Sequence, residues 1–347
     1  MSFRSKCCAI MLAGTVVGSG AFVTTTLAES ASAASTISCA KVASPTGSDS
    51  HSGTASSPYR TAQKVVSSLS SGQTGCLNAG TYSGNVTIGR SGVTLRSTPG
   101  GRATLSLNTL QISTGANDVT VSDLNIVGGG GALTMRPYAD RFHIVRNDIT
   151  NRNAGMTCII VGGGSVTSHG GEISLNRIHN CGASGNTLDH GIYAANFAPG
   201  SSGGPGLTIS QNVFYQNAGY SVQLYPSGTG AVVSHNVIDG GGLSVRGGIV
   251  IDGSPAQNDT ISQNVIAYTK TGAVVQKTGS GHVASKNCFW QNPSNVTGSG
   301  ITQTGNITAD PTFVNRSGAD YRLSSGSPCL SVVGTDTAAA VNAALTG

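Results

Sequence analysis

The sequence predicts an all-β solenoid, and three observations predict it. A short pattern built on one asparagine recurs along the chain. DVTVSDLNIV, FHIVRNDIT, GEISLNRIH, LTISQNVFY, AVVSHNVID, DTISQNVIA and HVASKNCFW place Asn125, Asn147, Asn176, Asn212, Asn236, Asn264 and Asn287 at separations of 22, 29, 36, 24, 28 and 23 residues. Between these copies lie further short strand-like segments (CIIVG, HGIYA, YSVQLY, GGIVID, GAVVQK) with no helical periodicity. The composition agrees: charged residues are 10% of the chain and glycine is 50 of 347, against about 25% charged in an average globular domain. A strand-only unit of this length cannot bury its apolar face alone and does so by stacking on its neighbours.

The chain opens with Arg4 and Lys6, an apolar run from Cys7 to Val23, and Ala31-Ser32-Ala33. This is the charged start, apolar middle and small-residue end of a secretory leader. Gly14, Gly18 and Gly20 interrupt the run, which is marginal against the ~20 apolar residues of a membrane span. The mature protein is therefore expected to be secreted, with no membrane span. Losing two basic residues and one acidic residue takes the net charge from +5 to +4. That bias suits an acidic polymer and is too small, with no Lys/Arg run, to indicate nucleic acid.

Residues 34–57 contain little that could pack. Thr61 then reads as the N-cap of a short helix whose Ala62, Val65, Val66 and Leu69 share one face, a suitable lid for the open end of a β-structure. CLNAGTYSGNVTIG, GVTLRST and GRATLSL alternate like strands. In the repeats, two positions after each asparagine stands an apolar residue (Val127, Ile149, Ile178, Phe214, Ile238, Ile266, Phe289). Three positions before it the residue is apolar in every copy but one, Ser122. Asparagine tolerates left-handed backbone geometry at sharp turns, and stacked copies can hydrogen-bond in a ladder. The seven asparagines are assigned structure, not chemistry.

These units resemble the right-handed parallel β-helix of the pectin-lyase-like superfamily. Residues 53–88 resemble the capping helix and first coil of its exported members, and ADPTFVNRSGADYRLSSGSPC (309–329) resembles their closing coil. The resemblance implies a single-stranded right-handed parallel β-helix with an N-terminal capping helix. The expected organisation is a leader over 1–33, an N-terminal segment and capping helix over 34–75, the β-helix over 76–330 and a C-terminal tail over 331–347. No single activity follows, because the superfamily holds lyases, hydrolases, epimerases and non-enzymatic adhesins.

Six cysteines remain after leader removal, an even number that favours disulfides in an exported chain. Fifteen pairings are open. The expected set is Cys39–Cys76 at one end, Cys158–Cys181 between neighbouring repeats and Cys288–Cys329 at the other end.

Aligning the third strand of successive units on Ile159, Ile192, Val222, Ile249, Val274 and Ile301 as inward residues turns their odd-numbered neighbours outward. Ionisable and polar groups then gather on the middle coils: Asp189, Tyr193, Gln223, Tyr225, Arg246, Asp252 and Lys277, with His190 and Tyr220 alongside. Eliminating across a uronic acid needs its carboxylate neutralised, a base at the α-proton and an acid at the leaving oxygen. Lys277 and Arg246 are candidates for the first two roles and Tyr225 for the third. Tyr193, Tyr220, Gln223 and His190 would contact substrate, Tyr193 serving as an alternative acid. Asp189 and Asp252 would hold Ca²⁺. The plainer alternative makes Asp252–Lys277 a surface ion pair and the tyrosines a stacking platform for sugar rings.

No nucleophile elbow, P-loop or zinc-protease motif is present. The expected activity is a lyase or epimerase acting on an acidic polysaccharide, as a monomer. The alternatives are a non-catalytic glycan-binding β-helix protein and a glycoside hydrolase using Asp189 and Asp252.

Overall fold

Each coil lays down one strand in each of three long parallel sheets, here called A, B and C. The computed structural model describes residues 37–129, 131 and 133–346; the expected leader, 1–33, lies outside them. Everything below concerns the unit Ser38–Gly347. Sheet A runs from Lys41–Ala43 to Ile301–Thr304, sheet B from Gly80–Ser83 to Ile307–Thr308, and sheet C from Val86–Ile88 to Val296–Thr297. A representative coil is Leu207–Ser210 in A, Val213–Tyr215 in B and Val222–Thr229 in C. The architecture is a parallel β-helix, wound in the right-handed sense that parallel crossovers take.

Strands form here because β-branched and aromatic residues alternate with polar ones. Their inward members stack coil on coil: Ile173, Ile209, Val233 and Ile261 in sheet A, and Ile178, Phe214, Ile238, Ile266 and Phe289 in sheet B. All of these are buried in one continuous core.

The asparagine ladder forms at the corner between sheets A and B. Asn147, Asn176, Asn212, Asn236, Asn264 and Asn287 are buried. The Oδ1 of Asn176 accepts the backbone N–H of Asn147 at 2.8 Å and its Nδ2–H at 3.2 Å. Asn176 in turn donates to Ile144 O at 2.8 Å and to Asn212 Oδ1 at 3.0 Å. Asn306, which the repeat pattern misses, extends the ladder by accepting from Asn287.

Two expectations are corrected at this corner. The left-handed residue is the one before each asparagine (Arg146, Leu175, Gln211, His235, Gln263 and Lys286, φ between 54° and 56°) and not the asparagine itself. Asn125 is also not a rung. Leu124 occupies that place and donates its N–H to Asn147 Oδ1 at 3.1 Å, while Asn125 pairs with Asp148.

At the N-terminal end, Thr61 caps the helix Ala62–Ser67 by accepting from Lys64 N at 3.1 Å. Ala62, Val65, Val66 and Leu69 close the first coil, as expected. Residues 34–57 hold more structure than their composition suggests, because Lys41–Ala43 is the first strand of sheet A, paired with Gly75–Leu77.

The other end departs further from expectation. Residues 309–329 are no coil: Phe313–Asn315 and Asp320–Leu323 form an antiparallel pair. Together with helices Leu330–Val333 and Thr337–Thr346 it folds back over sheet B. The reason is an outward apolar column, Val213, Val237, Val265 and Cys288, which Tyr321, Leu323, Val333, Val341 and Leu345 cover. The expected tail is thus a lid along the solenoid's side. The three disulfides form as expected, with Cα–Cα separations of 5.6, 5.4 and 5.4 Å. No helix among the described residues is long and apolar enough to cross a membrane.

Candidate functional site: a tyrosine-floored groove on sheet C

Sheet B is covered over its later coils; sheet C carries Ile160, Tyr193 and Gln223 in a partly exposed outward column. Its inward register matches the sequence alignment over five coils, Ile159↔Ile192↔Val222↔Ile249↔Val274. The sixth member is corrected. Val274 pairs with Val296, while Ile301 belongs to sheet A opposite His282. Tyr193 and Gln223 are direct neighbours on the outward side. Between Ala194 and Asn196 the register against the next strand slips by one residue, which accommodates Tyr225 in a bulge. Bulges re-aim side chains, and Tyr225 turns its ring toward Tyr193, with centroids 6.3 Å apart and planes at 60°.

His190, Tyr193, Gln223 and Tyr225 line a hollow of about 460 Å³. Ile160 and Tyr193 form its border with a second hollow of about 260 Å³, which continues past Arg136 and Ser227. His190 is 2% exposed, and its ring lies 5.9 Å from those of Tyr193 and Tyr220. Its Nδ1 accepts the Tyr220 backbone N–H at 3.0 Å, so the neutral ring carries its proton on Nε2. Burial, helped by the Arg246 charge, pushes its pKa down to about 4. Burial likewise raises the Tyr193 phenol, with Tyr225 adding to the effect.

Two arginines flank this platform. Arg246 sits over the Tyr220 ring, 5.3 Å from its centroid, and donates to the Tyr220 hydroxyl at 3.3 Å. Arg136 lies 4.6 Å from the Tyr138 centroid and donates to Gly162 O at 3.3 Å. In both, Nε is buried without a hydrogen-bond partner. Six other arginines (Arg96, Arg141, Arg146, Arg177, Arg316 and Arg322) are ion-paired with aspartates; Arg136 and Arg246, like Arg60, Arg90, Arg102 and Arg152, have no such partner among the described residues. Arg136 escapes the sequence alignment because that alignment begins one coil too late: Met135 pairs with Ile159, placing Arg136 in the same outward column as Ile160.

The remaining expected residues are placed elsewhere or otherwise used. Lys277 and Asp252 stack on adjacent coils and pair at 3.2 Å, as the plainer alternative has it. Asp189 is 6% exposed, and its Oδ2 accepts from Met156 N at 3.0 Å, Ala183 N at 2.9 Å and Asn186 Nδ2 at 3.0 Å. It clamps loops. Asp189 and Asp252 lie two coils apart at opposite ends of their strands, on the order of 20 Å by strand rise, so they do not form one calcium site. A separate, polar hollow of about 510 Å³ lies beside Asp140, His169 and the Gly/Ser loop 199–206.

The sequence pattern of the family described as "Periplasmic copper-binding protein (NosD)" matches residues 114–312. No curated protein matches. Among solved structures, XylC in complex with xylose is similar at 11% identity and a TM-score of 0.56, over 78% of this chain and 70% of that one. A pectate lyase, Pel9A, is similar at 14% identity and a TM-score of 0.55, over 84% of this chain and 91% of that one. At these identities the likeness is one of fold.

Proposed function

This chain belongs to the NosD family of periplasmic copper-binding proteins, and from that premise we propose that it is an exported β-helix protein whose sheet C groove binds an acidic polysaccharide. The observation that carries the reading is Arg136, which lines the hollow bordering Tyr193 and has no carboxylate partner among the described residues, with Arg246 behind the platform over Tyr220. Tyrosine rings offer flat apolar faces to the C–H faces of sugar rings. A guanidinium with free N–H groups matches a carboxylate in geometry and charge. Three disulfides suit an oxidising compartment. The fold is shared with a structure that holds xylose and with a pectate lyase.

Copper does not fit the described residues. Copper sites use thiolate, thioether or imidazole ligands in clusters. All six described cysteines are in disulfides. His143, His169, His179 and His282 are each tied to a carboxylate, and no group of three His, Cys, Asp or Glu among the described residues is placed to hold a metal. No step is derived through copper.

Elimination is the second reading, favoured by the Tyr193 phenol, which burial keeps protonated beside the platform as an acid. Its base would come from Lys277, which Asp252 holds as an ion-pair partner at 3.2 Å; His190 offers a donor, not a lone pair. Binding is therefore the better-supported function. The test is electrophoresis through gels containing pectate, alginate or neutral xylan, alongside absorbance of the unsaturated-uronate product. The expected result is retardation by the polyuronates alone. Mobility unchanged in every gel rejects the reading, and a growing product band moves the protein to the lyases.

A further inference from the structure

We propose that the mouth of the groove's hollow of about 460 Å³ is a subsite for an O-acyl group, so that the preferred ligand is an acidic glycan carrying acetyl or similar esters on its hydroxyls; this rests on the acidic-glycan reading of the groove. Leu188 is 77% exposed, the most exposed large apolar side chain among the described residues, and Met156 is 41% exposed. Both line the hollow that Tyr193 and Tyr225 floor. A single bare leucine on a surface needs no explanation. These two are held in place.

The holding group is one carboxylate. Asp189 Oδ2 takes the Met156 N–H at 3.0 Å and the Asn186 amide at 3.0 Å, and Asn186 Oδ1 then takes the Leu188 N–H at 2.9 Å. Met156 pays with a left-handed backbone, φ 65°, which disfavours any side chain. Asn151 locks both loops by donating to Met156 O at 2.7 Å and accepting from Gly182 N at 3.1 Å. Cys158–Cys181 joins the same two segments covalently. Two cross-braced loops thus present an apolar rim to the solvent.

The shape of the rim selects the ligand. Sugar ring faces are flat and match the tyrosines. Leucine and methionine are irregular and adaptable, and fill gaps around compact alkyl groups. The cations stand on the flanks, over Tyr138 and Tyr220, leaving the rim for the uncharged part of the chain. Next to the rim, His190 is a neutral ring whose Nε2–H is left to donate, since Nδ1 is occupied by Tyr220 N–H. That donor suits an ester carbonyl, with the acyl methyl between Met156 and Leu188.

The experiment is calorimetric titration of the protein with O-acetylated polymannuronate, the same polymer after mild alkaline deacetylation, and acetylated and deacetylated xylan. The acetylated polyuronate is expected to bind at least five-fold tighter than its deacetylated form. In a Met156→Ser/Leu188→Ser variant, checked for unchanged circular dichroism, that ratio falls to about one. Equal or tighter binding of the deacetylated polymer, or a ratio that survives the double substitution, overturns the proposal. Acetyl preference on xylan at equal affinity would leave the subsite standing and overturn the acidic-glycan reading instead. Silence from all four polymers overturns both.

Discussion

Each rung of the asparagine ladder satisfies groups on three successive coils. Asn212 accepts from Asn176 N and Nδ2, donates to Ile173 O at 2.8 Å and passes a further bond to Asn236. Removing a buried partner leaves its donors unsatisfied at about 1–3 kcal/mol each. Asn212→Ala is therefore expected to cost on the order of 3 kcal/mol in denaturant unfolding, and Asn125→Ala, half-buried beside Arg102, about 1 kcal/mol. Equal losses would place Asn125 back on the ladder. The one-residue slip was visible in the sequence, since Ser122 breaks the apolar rule at its position and shifting the frame to Leu124 restores it with Val121. His190 gives a second residue-scale expectation. It is neutral in the fold down to about pH 4, against an ordinary 6.5. Its contribution is complete above pH 6.5. Between 6.5 and 4 only the unfolded chain takes up the proton, so stability falls with decreasing pH by about 3 kcal/mol in all. A His190→Gln variant should lack that part of the acid slope in unfolding measured from pH 7 to 4; an unchanged slope would show a ring already open to water.

At the scale of elements, sheet C was legible where its strands are regular and illegible where they are not. Alternation gave the outward column through Tyr193 and Gln223. It could not give the bulge that turns Tyr225 onto Tyr193, because a bulge is an offset between two strands and appears in neither alone. The outward column of sheet B was legible in retrospect. The residue after the ladder asparagine is Asp148 or Arg177 in early coils and Val213, Val237, Val265 or Cys288 later, a change from charged to apolar that calls for a cover. The two loops at the groove are braced by Cys158–Cys181, which closes a segment of 23 residues. Removing it as Cys158→Ala/Cys181→Ala is expected to cost about 3 kcal/mol in thermal unfolding. It should also raise amide exchange at Ala183, whose N–H Asp189 holds. Exchange at Ala183 unaltered in the double variant would mean that the hydrogen bonds alone fix the loop.

Across the whole molecule, sheets B and C differ in what their outward residues face. Sheet B carries the C-terminal hairpin and helices; truncation before Thr337 strips Val341 and Leu345 from its apolar column and is expected to produce self-association in sedimentation velocity. A monodisperse truncated protein would show that the hairpin alone suffices. In the proposed reading, sheet C offers its tyrosines, with Arg136 and Arg246 nearby, to a ligand. Its fold class followed from the repeat, but its ligand does not follow from the fold, since one solenoid serves many chemistries. The proposal rests on the placement of Arg136 beside Tyr193 and of Arg246 over Tyr220, a property of neighbours in space that no linear pattern records. The most direct test is titration of a polyuronate into the wild-type protein and into an Arg136→Gln/Arg246→Gln variant. Binding to the wild type that weakens at least ten-fold in the variant, and with added salt, is the predicted result. Affinity that is equal in the two proteins, or absent from both, would contradict the assignment of this groove to an acidic glycan.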